Sequence, residues 1–233
     1  MYLKNRITKG WSPAEDHTQA KPIPEEEKAA FRHRLVPILA ASPPPVRAQL
    51  IPTLQKILSY DFPGKWPDFL DITIQLLSAN DAGSVFAGVQ CLLAICRVYR
   101  FKAGDVRGDF DKVVSVTFPL LLSIGNRLVV ETSIDAGEIL RTVMKAYKHA
   151  IYVSVDAPRP PTKELGAHRF QFELPVPLRD HQVMVGWCTL FLTLVSKDPP
   201  PSSLPEDLDE RETNHWWKAK KWAYANLNRL FVR

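Results

Sequence analysis

Apolar residues recur along most of this chain with the spacing of helices that bury one face. In one clear example, Leu50, Leu54 and Ile57 stand at positions i, i+4 and i+7. This is the period of an amphipathic α-helix, and the alternation typical of a strand is not seen. The pattern therefore predicts an all-α protein.

A turn-forming segment separates this helix from the next one. Pro63 and Gly64 favour a turn, whereas Phe62 and Trp66 are large apolar anchors. Pro67 suits the first turn of the following helix, where its missing N–H has no partner in any case. We therefore predict a structural hinge at Phe62, Pro63, Trp66 and Pro67 that joins two helices packed on each other.

Helical pairs of this kind recur along the chain. Their second helices are predicted to begin near residues 45, 82, 131 and 212, and HEAT repeats have about 40–47 residues. The pattern predicts a single α-solenoid of HEAT-type antiparallel helix pairs over residues 1–233. A tail helix of an incomplete repeat is predicted at 1–12, helical pairs at 24–60, 63–102, 106–153 and 177–233, and inserts at 154–176 and 197–212.

Two apolar stretches bear on burial and on membranes. The helix predicted around residues 183–194 is apolar almost all round, which indicates a deeply buried helix. The longest apolar run, residues 113–122, contains Thr117 and Pro119 and is shorter than the roughly 18 residues of a membrane span. We therefore expect no membrane association.

Composition excludes some classes of protein. The formal charge of +5 on 233 residues is modest, and a nucleic-acid-binding domain would concentrate its basic residues on one face. Cys91, Cys96 and Cys188 have no CxxC spacing, which indicates reduced core cysteines. The twenty prolines cluster at the boundaries between the predicted helices.

Motifs of catalysis and of metal binding are missing from the sequence. It has no glycine-rich phosphate loop, no HExxH and no Gly-x-Ser-x-Gly. His33, His149 and His181 each lie in a predicted helix without a Cys or His at ligand spacing. We expect a protein that is not an enzyme and that needs no cofactor or metal.

Three motifs resemble the importin-β (karyopherin-β) family of nuclear transport receptors. Tyr2-Leu-Lys-Asn-Arg-Ile7 resembles a helix near the start of these receptors, and Asp61-Phe-Pro-Gly-Lys-Trp-Pro-Asp-Phe69 is similar to a hinge that follows. The hinge motif also recurs in the exportin that recycles importin-α. The acidic loop before Trp216-Trp-Lys-Ala-Lys-Lys-Trp-Ala223 resembles the importin seven/eight branch most specifically.

The resemblance implies an N-terminal HEAT-repeat segment of a right-handed solenoid that shuttles between cytoplasm and nucleus. It implies binding of Ran-GTP on second helices and of Phe-Gly nucleoporins between first helices, and transport of basic cargo such as ribosomal proteins or histones. An exportin of the same superfamily and a helical-repeat scaffold without Ran control are the alternatives.

Candidate binding residues follow from the resemblance and from the charge pattern. Residues predicted to bind Ran or another partner are Lys4, Asn5, Arg97, Arg100, Lys145, Lys148, Lys218 and Lys221. Arg97 and Arg100 also suit a helix C-terminus, and Lys218 and Lys221 also suit a solvated helix face, so both interpretations stay open. The acidic loop with Glu206, Asp207, Asp209 and Glu210 is either a linker or an electrostatic latch for nearby lysines, basic cargo or Ran.

Overall fold

The computed structural model describes residues 2–12, 22–100, 106–151 and 174–231. These residues form nine α-helices, and they contain no β-strand. The helices are α1 (Tyr2–Gly10), α2 (Glu25–Ala41), α3 (Pro44–Asp61), α4 (Phe69–Leu77), α5 (Ala82–Tyr99), α6 (Val106–Leu128), α7 (Ile134–Ala150), α8 (His181–Ser196) and α9 (His215–Phe231). The all-α prediction is confirmed, and the second helices α3, α5, α7 and α9 begin close to their predicted positions.

The helices fall into two compact units, Met1–Val98 and Tyr99–Arg233. The predicted insert 154–176 lies outside the described residues except for its last three. The predicted insert 197–212 is ordered by two 3-10 turns, Pro201–Ser203 and Asp209–Thr213.

A buried carboxylate connects the helices at one end of the first unit. Asp61, the last residue of α3, accepts a hydrogen bond of 3.0 Å from the indole Nε1 of Trp11 and one of 2.7 Å from the guanidinium of Arg32. Trp11 directly follows α1, and Arg32 lies in α2. Asp61 was expected only to help end a helix, but it joins three helices because its side chain points into the unit.

The hinge after α3 is held by aromatic contacts. Phe62 and Trp66 are buried, and their ring centroids lie 6.0 and 4.6 Å from that of Phe69. The backbone N–H groups of Lys65 and Trp66 donate to the carbonyl of Asp61. These bonds keep Pro67 in the turn, so α4 begins at Phe69 and not at Pro67 as predicted.

α5 is the central helix of the first unit. It is 18 residues long and apolar enough to cross a membrane by length and composition, yet 72% of it is buried, as expected of a core helix. A Cβ on Gly88 would lie 2.8 Å from the backbone nitrogen of Leu77. The missing side chain of Gly88 thus lets α5 pass close to the end of α4.

An aromatic cluster forms the core of the second unit. The ring of Tyr147 in α7 lies 4.6 Å from Trp187 and 4.9 Å from Phe191, both in α8, and 6.2 Å from Phe118 in α6. All four side chains are almost completely buried. Three helices from successive pairs therefore share one core, as neighbouring repeats of a solenoid do.

First helices pack beside first helices in this unit. A Cβ on Gly125 of α6 would meet Leu190 of α8, and Phe118, earlier in α6, contacts the earlier Trp187. At the end of α8, the amine of Lys197 donates to the carbonyl of Val129, 2.6 Å away, just beyond the end of α6. α6 and α8 therefore run parallel, which is the arrangement of successive HEAT repeats.

The prediction that α8 is deeply buried on all sides is wrong. Trp187, Leu190, Phe191 and Leu194 are buried, but Val185 and Leu192 remain 50% and 55% exposed. Side chains buried by α8 come from α6, α7 and α9, which leaves its outer face uncovered in the described part of the second unit. The sequence pattern shows how apolar a helix is but not how many neighbours it has.

We predict that Asp61→Ala lowers the free energy of unfolding by about 3 kcal/mol, because removing one partner of a buried ion pair leaves the other uncompensated. The side chain of Arg32 is only 11% exposed, so water reaches it poorly. Urea unfolding followed by circular dichroism measures the loss. Asp68→Ala is the matched control, since Asp68 is exposed and caps no helix with its side chain, and should cost less than about 1 kcal/mol. Equal losses in the two variants would contradict the proposed role of Asp61.

Candidate binding surfaces

Two buried hydrogen bonds set the position of α9 against α7. The indole Nε1 of Trp216 donates to the carbonyl of Ser133 over 3.1 Å, and Asn226 Nδ2 donates to the carbonyl of Met144 over 3.0 Å. Trp216 and Ser133 lie at the starts of the two helices, and Asn226 and Met144 lie further along both. The two second helices therefore run parallel and in a defined register.

Small and capping residues make this close approach possible. A Cβ on Gly137 would lie 2.8 Å from the indole of Trp216, so the ring occupies the space that a larger residue would fill. Asn214 caps α9, because its Oδ1 accepts a 2.8 Å bond from the backbone N–H of Trp216. Its Nδ2 donates to the carbonyl of Ser203, which ties the preceding loop to the helix start.

Basic side chains from both second helices meet on one surface. Lys145 and Lys148 of α7 lie over the ring of Trp222 of α9, with Nζ 5.5 and 4.0 Å from the ring centroid. Such cation–π contacts stabilise a lysine against an aromatic face. We call the following set the basic surface: Arg100, Arg141, Lys145, Lys148, Lys218, Lys221 and Arg229.

The charges of this surface repel one another measurably. The pKa of Lys148 is lowered by partial burial and by the positive charges of Arg229, Arg100 and Lys221. The pKa of Arg141 is lowered by burial, although the carboxylate of Glu138 at 3.7 Å acts in the opposite direction. The surface thus holds cations whose charged forms are disfavoured without an added anion.

A histidine at the start of α9 has the same surroundings. The pKa of His215 is lowered to about 4 by burial, and by the neighbouring Arg141 and Lys218, with Asp135 opposing them. His215 is therefore neutral near pH 7. It adds no charge to the basic surface at that pH and would add one only in acid.

The acidic loop does not neutralise these cations. Glu206, Asp207, Asp209 and Glu210 are exposed, and Asp207 accepts a hydrogen bond from the backbone N–H of Asp209. Among the described residues, no ion pair joins this loop to the basic surface. The latch onto nearby lysines that the sequence suggested is absent from the described ion pairs.

The structure brings together five of the residues predicted to bind a partner. Arg100, Lys145, Lys148, Lys218 and Lys221 belong to the basic surface of the second unit.

The remaining three predicted residues lie in the first unit. Asn5 is exposed on α1, and Arg97 is half-buried in the last turn of α5. Lys4 lies in α1, and its side chain is outside the described residues. The binding roles of all eight residues stay predictions.

Sequence reasoning missed Arg141, Arg229, His215 and Trp222. A signal for one of them was present, because Arg141, Lys145 and Lys148 stand at i, i+4 and i+7 on α7. The contribution of α9 to the same surface depends on the register of two helices far apart in the chain, which no local pattern contains.

An apolar cleft lies between the two first helices of the second unit. Its volume is about 370 Å³. It is lined by Phe118, Pro119, Leu122, Ser123, Asn126, Val183 and Trp187. The exposed Val185 and Leu192 belong to the same helix, α8, so apolar surface extends beyond the cleft.

Comparison with known proteins agrees with this architecture. The family model described as the importin-beta N-terminal domain matches residues 1–41. An importin beta-like SAD2 homolog from Arabidopsis thaliana is 31% identical over 100% of this chain and 20% of its own length. Importin-8 of Mus musculus is 28% identical over 100% of the chain and 22% of its own length.

The chain belongs to the importin-β family. Its similarity to exportin-2 of Drosophila melanogaster is 25% identity over 43% of the chain and 10% of that protein, whereas the similarity to importin-8 covers the whole chain. This places it in the importin seven/eight branch, as the tryptophan-rich motif at Trp216 suggested. This importin-β chain spans about a fifth of the length of the curated relatives named above.

We predict that the importin-β chain loses stability as the pH falls from about 6.5 towards 4, in part through His215. A basic group whose folded pKa is lowered binds a proton more readily when unfolded, so acid favours the unfolded state between the two pKa values. Thermal unfolding at several pH values measures this. His215→Gln should melt at a higher temperature than the unchanged chain near pH 4.5 and show a smaller difference at pH 7. A pH dependence identical in both chains would contradict the prediction.

Proposed function

We propose that this chain carries early HEAT repeats of a nuclear import receptor of the importin seven/eight type. The observation that carries the proposal is similarity to an importin over the entire chain, supported by parallel first helices and parallel second helices in the second unit. The receptor takes protein cargo through the nuclear pore and shuttles between cytoplasm and nucleus. Its role is binding and not catalysis.

Ran-GTP is the proposed regulator, bound by residues of the second helices. The predicted residues are Lys4 and Asn5 of α1 and Arg97 of α5, together with Arg100 and the four predicted lysines of the basic surface. HEAT arrays have many small nearest-neighbour interfaces, so binding on the second helices changes their curvature in small steps. Such a change would lower the affinity for cargo held elsewhere on the receptor.

We predict that the chain binds Ran loaded with GTP at least about tenfold more tightly than Ran loaded with GDP. Calorimetric titration with each form, at low and at physiological salt, measures the difference. Equal affinity for the two forms would contradict the proposal and favour a scaffold without Ran control. Binding to neither form would contradict Ran recognition by this chain.

Export is the second candidate function, because similarity to exportin-2 extends over part of the chain. The two directions differ in the sign of the coupling between Ran and cargo. An exportin binds cargo more tightly when Ran-GTP is present, whereas an importin releases it. The whole-chain similarity to importin-8 favours import.

Phe-Gly nucleoporins are the proposed partners of the cleft between α6 and α8. The cleft is apolar, lies between first helices, and is bordered by the rings of Phe118 and Trp187. A phenylalanine side chain buried there would contribute about 1.5–3 kcal/mol, which suits weak and rapidly exchanging contacts. Basic cargo, in contrast, has no complementary surface on the second unit, since α7 and α9 present cations.

We predict that Ser123→Trp weakens binding of a Phe-Gly repeat peptide about tenfold, because the new ring fills the cleft. Ser123 is exposed and lines the cleft, so the substitution spares the core. Ser115→Trp is the matched control, since Ser115 is also exposed on α6 and does not line the cleft. Fluorescence anisotropy of labelled Phe-Gly and Ser-Gly peptides measures the effect. Equal weakening by both variants, or equal binding of both peptides, would contradict this site.

A further inference from the structure

The basic surface of α7 and α9 fits a ligand that the proposed function does not specify. We propose that this surface binds an acidic, extended protein segment, one rich in Asp and Glu. The inference depends only on the arrangement of cations in the second unit, so it stands whether or not this chain binds Ran-GTP.

The cations are arranged along a line and do not converge on one point. On α9 the basic residues run from Lys218 to Arg229, which corresponds to about 16 Å at 1.5 Å per residue. On the parallel helix α7 they run from Arg141 to Lys148, about 10 Å. An extended chain advances about 3.3 Å per residue, so a segment of about five residues covers this length. A single phosphate would contact only a fraction of it.

The surface is electrostatically incomplete in the protein itself. Glu138 is paired with Arg141, and Asp135 lies near His215, but the acidic loop at residues 206–210 forms no described ion pair with these cations. Repulsion lowers the pKa of Lys148, which means that clustering the charges costs folding free energy. An anionic partner removes this cost, and so gains more from this surface than from isolated lysines.

The aromatic residues favour a polypeptide over a nucleic acid. Single-stranded nucleic acids stack their bases on exposed aromatic faces. Here the ring of Trp222 lies beneath Lys148 and Lys145, and the ring of Trp216 is buried with Lys197 4.5 Å from its centroid. The rings hold the amines in place and leave no platform for a base. Carboxylates need only the amines.

The test uses a fluorescein-labelled peptide of about six glutamates, with a glutamine peptide of equal length as the uncharged control. Anisotropy titrations of the whole chain at about 50 and 300 mM salt measure binding and its screening. We expect the glutamate peptide to bind at low salt, to weaken at high salt, and to bind much more tightly than the glutamine peptide. Failure to bind at low salt would overturn the proposal.

The location is tested by removing two charges. Lys148→Gln with Lys221→Gln should weaken binding of the glutamate peptide about tenfold, since each pair contributes modestly. The matched control is Lys112→Gln with Arg127→Gln, two exposed positions of α6 that change the net charge equally. Equal weakening by both double variants would show non-specific attraction and overturn the proposed site. Thermal melts guard against misfolding: loss of Lys148 relieves repulsion, so the first variant should melt no lower than the unchanged chain.

An oligothymidine of about six nucleotides distinguishes the alternative ligand class. Weaker binding of the oligonucleotide than of the glutamate peptide supports a protein partner, whereas tighter binding, lost in the same double variant, would overturn it in favour of nucleic acid. Ran-GTP titrations of the same variants separate this inference from the proposed function. If Ran binds and the peptide does not, only the present inference fails; if the peptide alone binds, only Ran recognition fails.

Discussion

The register between α7 and α9 is the constraint on which the functional surface of the second unit depends. Trp216 and Asn226 each donate a hydrogen bond to a backbone carbonyl at α7, and Gly137 leaves the room that the Trp216 ring needs. An indole or amide buried without such a partner is costly, so sliding or rotating α9 would break both bonds together. With this register, Trp222 lies beneath Lys145 and Lys148, and the basic residues of two helices become one surface.

The second unit separates two kinds of chemistry by helix class. Second helices present cations supported by aromatic rings, whereas first helices present an apolar cleft with the incompletely covered face of α8 beside it. In a HEAT array every helix packs against its pair partner and against helices of neighbouring repeats, so each class keeps one face for ligands. A transport receptor needs different faces for its regulator and for the pore. The separation seen here suits that need.

Helix periodicity was enough to predict the all-α fold, because each helix buries a stripe that recurs every 3.6 residues. The starts of α3, α5, α7 and α9 followed from turn residues, and the motifs at Asp61 and Trp216 indicated the family. The burial of α8 was predicted wrongly, since hydropathy does not count neighbours. Asp61 was taken for a helix-ending residue, because its bonds to Trp11 and Arg32 span 50 and 29 positions of the chain.

The sequence by itself therefore determined the helices, their pairing and the family, all of which depend on local spacing and short motifs. It also showed which residues carry charge. Only the tertiary structure decided which of those charges meet: it joined Lys145 and Lys148 of α7 to Trp222 of α9 and left the acidic loop without an ion pair to them. The physical reason is that charge interactions act through space at distances of a few ångströms, between residues that lie some seventy-five positions apart in the chain.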